Sequence, residues 1–137
     1  MKIAVDFDGT IVDNRYPGIG KTKMFAFETL IELQKKGHQL ILWTYRSGKK
    51  LDEAVNFCEE HGIEFYAVNK NYPEEQFDES ISRKIAADVY IDDRNLGGFP
   101  GWSEVWKMMN PGIYEQPGNI YSNEKSKISI FKKLFGR

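Results

Sequence analysis

Ile3-Ala4-Val5-Asp6-Phe7-Asp8-Gly9-Thr10 decides the reading of this chain. Three apolar residues run directly into two aspartates and a glycine turn, the pattern of a short strand buried on both faces of a parallel sheet. Working outward, Val12 to Lys23 holds Asn14, Pro17, Gly18 and Gly20 and reads as a loop or short flap. From Met24 to Lys36, apolar Phe27, Leu30, Ile31 and Leu33 recur at helical spacing, with Gly37 as the stop.

The same unit then repeats in kind. Gln39 to Thr44 reads as a second buried strand, Leu51 to His61 as a second helix stopped by Gly62, and Ile63 to Val68 as a third strand. A polar loop with Pro73 leads to a short helix around Ser82 to Ala87, and Val89-Tyr90-Ile91 is a fourth strand running into Asp92-Asp93. Strands alternating with helices imply right-handed crossovers and an α/β, doubly wound, mainly parallel sheet with helices on both faces. After Asn95, Trp102 to Met109 reads as a helix and Gly118 to Tyr121 as an edge strand.

Composition narrows the class. The 137 residues suit one domain, and 41% apolar with 28% charged residues is ordinary for a packed core. The net charge of −1 gives no reason to expect a polyanion partner, so duplex nucleic acid is not expected. Charge is uneven: up to Ser122 there are 14 basic and 19 acidic residues, whereas 123–137 carries five basic residues against Glu124. We therefore expect a single domain over 1–122 and a basic tail over 123–137, in which Ile128, Phe131, Leu134 and Phe135 form an amphipathic stripe. Cys58 is the only cysteine, which excludes an internal disulfide and suits a reducing compartment. No stretch approaches the ~18 apolar residues of a membrane span, and Met1-Lys2 leads into no secretory pattern, so the expected location is cytoplasmic.

Asp6 and Asp8, Thr44, and Asp92 and Asp93 all follow strands. In open parallel sheets ligands bind beyond the carboxyl ends of the strands, so these side chains are expected to converge on one crevice. Four carboxylates together repel strongly without a cation, and an all-oxygen set suits Mg²⁺. Arg46 and Arg94 each follow one of these positions, where an arginine either reaches an anionic substrate or, the more frequent case, stands on the surface.

In order and spacing, Asp6-Phe7-Asp8-Gly9-Thr10, Thr44, a basic residue near Lys84 and the Asp92-Asp93 pair resemble the motifs of the haloacid dehalogenase superfamily over residues 1 to about 95. The short chain is similar to its capless members, among them capsule-biosynthesis phosphatases. The resemblance implies that Asp6 is a nucleophile forming an aspartyl-phosphate and Asp8 the general acid and base. It implies further that Thr44 holds a phosphoryl oxygen, that Lys84 (or Arg83 or Lys70) is the charge-offsetting cation, and that Gly9, Thr10, Thr44, Arg46 and Lys84 bind substrate. The metal, Mg²⁺, would be held by Asp6, Asp8, Asp92 and Asp93, with Asp8 contributing its backbone carbonyl. The expected activity is hydrolysis of a small phosphorylated substrate, a sugar phosphate, nucleotide or similar; a non-catalytic phosphate-binding module is the rival, and a homo-oligomer is left open.

Other features have plainer readings. Gly18-Ile19-Gly20-Lys21-Thr22 mimics the end of a phosphate-binding P-loop, but Arg15 stands where its first glycine is required. His38 and His61 lack metal-ligand spacing, Cys58 reads as core, Trp43 as core ahead of pocket wall, and Trp102 and Trp106 read as the packing face of a helix. A receiver domain is excluded by order, since its acidic pair follows the first strand and its phosphoacceptor a later one.

Overall fold

A computed structural model describes residues 1–114, in the order β1 (Lys2–Val5), α1 (Ala26–Lys35), β2 (Gln39–Leu42), α2 (Gly48–Glu60), β3 (Ala67–Val68), β4 (Val89–Ile91), α3 (Trp102–Met109) and α4 (Pro111–Tyr114). Two compact units emerge, the first Met1–Phe99 and the second beginning at Pro100. The expected edge strand at 118–121, the 122/123 boundary and the amphipathic tail lie outside the described residues.

In the first unit the four strands form one parallel sheet in the order β3-β2-β1-β4. From β1 through β2 to β3 the chain steps one way, then returns past β1 to β4, so the strand order reverses between β1 and β4. Both helical crossovers run in the same direction, and their right-handedness places α1 and α2 on one face. They meet there through aromatic side chains: Phe27 of α1 packs on Phe57 of α2 at 5.9 Å between ring centroids, and Phe7 meets Phe57 edge-on at 6.2 Å.

The opposite face has a different cover. Ala4, Ile41 and Ala67 lie in one row across β1, β2 and β3 and pack with Ile85, with Trp43, Tyr66, Ala87 and Tyr90 around them. The small alanines leave room for the large rings. The helix expected at Ser82–Ala87 does not form, because its backbone donors have other acceptors: Ala86 N–H donates to Asn71 Oδ1 (2.7 Å) and Ala87 N–H to the Tyr90 hydroxyl (3.2 Å). Tyr90 O–H in turn donates to the Ile85 carbonyl. β3 is shorter than the expected Ile63–Val68, with Tyr66 N–H donating to Leu40 O just before it.

Both crossover helices stop as their glycines require. Gly37 (φ +88°) donates to Gln34 O while His38 donates to Leu33 O, and Gly62 (φ +92°) donates to Glu59 O while Ile63 donates to Cys58 O. These are paired Schellman caps, which need a left-handed residue past the helix end. α2 begins at Gly48, three residues before the expected Leu51, because its first turn, Gly48-Lys49-Lys50, carries no apolar signal.

His61 stacks on Phe27 at 4.2 Å and its Nδ1 lies 2.7 Å from Phe57 O, a structural role. Cys58 is fully buried, and desolvation pushes its thiol up to about 12. In the second unit Trp102, Val105 and Trp106 form the buried stripe of α3. Among the described residues no helix is long and apolar enough to cross a membrane, and no cap domain is inserted into the sheet.

Candidate active site

The carboxyl ends of β1 and β4 lie side by side at the point where strand order reverses, and the ladder runs on past both: Asp6 N–H donates to Ile91 O (2.9 Å) and Trp43 N–H to Val5 O (2.8 Å). This carries Asp6, Thr44, Asp92 and Asp93 to the rim of one cleft of about 780 Å³, whose walls also include Asp8, Tyr16, Trp43, Tyr45 and Arg94. That volume is within the usual range for a small-molecule site.

Asp6, Asp92 and Asp93 each bring one carboxylate oxygen within 4.8 Å of the others. Burial lifts the Asp6 carboxyl to about 8, reinforced by a side-chain hydrogen bond with Asp93 and by the charge of Asp92. A group raised this far by burial and like charges is one that a cation would return to the ionised state. The donors are all hard oxygens, which fits Mg²⁺ better than a thiol- or imidazole-preferring metal.

Two neighbours of Asp6 organise this cluster from beneath. Thr10, fully buried, accepts from Asp93 N–H (3.0 Å), and its hydroxyl is within donating reach of Asp93 Oδ1 (3.3 Å) and Asp6 Oδ2 (3.4 Å). Gly9 has φ +83°, and a Cβ there would stand 2.2 Å from Asp93 Oδ2. Its N–H donates to Val12 O (2.7 Å). Gly9 and Thr10 pack the first aspartate loop onto Asp93, and neither is among the residues that line the cleft.

Arg46 also departs from expectation. It is 1% exposed, and its fork grips Asp8 through Nε to Oδ2 (2.7 Å) and Nη2 to Oδ1 (2.8 Å). Its remaining N–H groups reach Pro17 O (3.2 Å), Lys50 O (3.3 Å) and Gly18 O (2.6 Å). All five guanidinium donors are thus engaged, leaving none for a substrate. The ring of Phe7 lies 5.1 Å from the guanidinium carbon and that of Tyr16 5.2 Å. The bond to Asp8 raises Arg46 above its ordinary value. Arg46 therefore positions Asp8 and ties the 12–23 flap, at Pro17 and Gly18, to the start of α2. The Asp8 carboxylate faces Arg46 and is not part of the three-carboxylate group.

Thr44 lines the cleft just past the end of β2. Its Oγ1 accepts from Arg46 N–H (3.2 Å), and its own N–H donates to Asn69 Oδ1 (2.8 Å). Asn69, in the left-handed region at φ +53°, also donates from Nδ2 to Arg46 O (3.4 Å), so one side chain clamps the 44–46 turn.

Lys84 is not brought to the cleft. It is exposed, with Nζ 5.2 Å from the Tyr90 ring centroid, and neither Arg83 nor Lys70 is among the lining residues. Among the described residues, the basic side chain that lines the cleft is Arg94, whose Nε stands 3.8 Å from Asp93 Oδ2. Trp43 is both packing and wall. Sequence reasoning missed Asn69, whose signal is an asparagine directly after a strand. It also missed Tyr45 and Tyr16, aromatics placed in polar turns.

Fold and site together define an α/β protein with a carboxylate-floored cleft at a topological switch point. A solved structure from Bacteroides thetaiotaomicron, described as a conserved protein coded by a locus of that organism, is 53% identical to this chain, covers 85% of it and 98% of its own length, and superposes with a TM-score of 0.77. The chain belongs to the same family as that protein. No protein-family model and no curated protein matches it.

Proposed function

We propose that the protein is a Mg²⁺-dependent phosphomonoester hydrolase of the haloacid dehalogenase type, acting in the cytoplasm through an aspartyl-phosphate on Asp6. The observation that carries this reading is the grouping of Asp6, Asp92 and Asp93 within 4.8 Å beside Thr44 and Asp8 in one open cleft.

Bound at Asp6, Asp92 and Asp93, Mg²⁺ would neutralise the carboxylates and draw charge from the phosphoryl oxygens. An Asp6 oxygen attacks phosphorus as the bond to the leaving oxygen breaks, and that oxygen takes a proton that Asp8 carries on a lone pair not used by Arg46. Water then attacks the phosphorus of the acyl phosphate and gives its proton to Asp8, which releases phosphate and restores Asp6. Arg46 holds the Asp8 carboxyl group in position through its two hydrogen bonds. The clamped turn at Thr44 offers its hydroxyl to a phosphoryl oxygen. Arg94 takes the electrostatic part first assigned to Lys84.

Hydrolysis of p-nitrophenyl phosphate and of a panel of sugar phosphates and nucleotides, with Mg²⁺ or EDTA, tests the reading. Metal-dependent turnover lost in Asp6→Asn is expected. Silence across the whole panel, or turnover indifferent to Asp6→Asn, would overturn it in favour of a phosphate-binding module.

A further inference from the structure

Only part of the cleft is built for a phosphoryl group. Asp6, Asp92 and Asp93 form its acidic floor, while Tyr16, Trp43 and Tyr45 also border it and are aromatics that hydrolysis itself does not require. These rings are not equally available. Tyr16 has the Arg46 guanidinium over its face, and Trp43 packs partly against the Ala4, Ile41, Ala67 and Ile85 cluster. Tyr45 is 94% exposed, and among the described residues no ring or cation stacks on it.

A ring on a backbone already held in place beside a cleft gives up less freedom when a ligand stacks on it. Here it is fixed on both sides. Thr44 N–H is held by Asn69, and Arg46 is buried and engaged at all five donors. Tyr45 is therefore presented by a rigid turn directly after the residue that faces the phosphoryl group.

We infer that the cleft takes phosphoesters whose leaving group carries a flat ring, stacked on Tyr45. The inference rests on the phosphoester reading of the floor and goes beyond it by naming the leaving-group class. A planar ring offers its π-face to tyrosine at close range, whereas a puckered ring of equal size does not.

The test compares benzylphosphonate with cyclohexylmethylphosphonate, non-hydrolysable ligands of similar size, by calorimetry on the full chain in Mg²⁺. The expected result is that benzylphosphonate binds about tenfold more tightly, about 1.4 kcal/mol. That preference should fall to about unity in Tyr45→Ala and persist in Tyr45→Phe. Equal binding of the two ligands, no detectable binding of either, or a preference untouched by Tyr45→Ala overturns the inference. Turnover of benzyl phosphate is measured separately: if it fails while the Tyr45-dependent preference holds, the hydrolase reading falls and the ring site stands. If turnover is present without the preference, the reverse holds.

Discussion

Arg46 and Asp8 face each other as a bidentate ion pair, Nε to Oδ2 at 2.7 Å and Nη2 to Oδ1 at 2.8 Å, with the arginine side chain wholly removed from solvent. They lie 38 residues apart in sequence, one after β1 and one after β2. Through this pair the loop carrying the candidate acid is joined to the turn carrying Thr44. Three carbonyls of the flap and α2 complete the guanidinium's partners.

Removing one partner of a buried ion pair leaves an uncompensated charge. Arg46→Met should therefore lower unfolding free energy by about 3–5 kcal/mol. Arg46→Lys has three donors on a point charge and cannot reproduce the fork, so it should recover only part of the loss. Urea unfolding of the three proteins measures this. An Arg46→Met protein as stable as the wild type would sink the role given to the pair.

Gly9 fixes the distance between the first aspartate loop and Asp93. Alanine there would adopt φ +83° and place its Cβ 2.2 Å from Asp93 Oδ2. The strain should cost about 1–3 kcal/mol, and the displaced Asp93 should weaken Mg²⁺ binding by about 10–100-fold. Calorimetric titration with Mg²⁺ reads the second effect independently of activity. Unchanged affinity would mean that Asp93 does not hold the metal.

The acidic cluster also predicts how stability depends on pH. In the metal-free protein the Asp6 carboxyl is raised from 3.8 to about 8, first by burial and then by Asp93 and Asp92. Between these values the folded state holds a proton that the unfolded chain has lost, so stability falls as pH rises. In EDTA the melting temperature of the wild type should decline from pH 5.5 to 8.5 more steeply than that of Asp6→Asn. Added Mg²⁺ should raise it most at the alkaline end, where the carboxylates are charged. A Mg²⁺ effect that shrinks with rising pH would contradict the assignment.

The parallel sheet was legible because β1, β2 and β4 are short apolar runs ending in polar residues, and because Gly37 and Gly62 stop the two helices. The segment at 82–87 was not legible. Its conformation is set by Asn71 and Tyr90, whose side chains take backbone partners that local sequence assigns to a helix. Among site residues, Asp6, Asp8, Thr44, Asp92 and Asp93 could be placed because each follows a strand. Arg46 was misread for the reason that a lone arginine in sequence does not reveal its acceptors. Three of its five are backbone carbonyls contributed by Pro17, Gly18 and Lys50. Lys84 was carried over by order alone, and no local pattern fixed the direction of its side chain.

Asn69 gives the last prediction, because its side chain and backbone act separately. Its Oδ1 holds Thr44 N–H at 2.8 Å, while its φ of +53° is a conformation that glycine adopts without strain. Asn69→Gly should therefore keep the fold but free the 44–46 turn, weakening inorganic phosphate binding in Mg²⁺ by about fivefold, the equivalent of one lost hydrogen bond. Asn69→Asp keeps an acceptor for Thr44 but sets an oxygen against Arg46 O, where Nδ2 now donates at 3.4 Å, and adds negative charge beside the turn. Its phosphate affinity should fall below that of Asn69→Gly. Calorimetry with phosphate ranks the three proteins, and Asn69→Gly binding as tightly as wild type would show that the clamp does not shape the site.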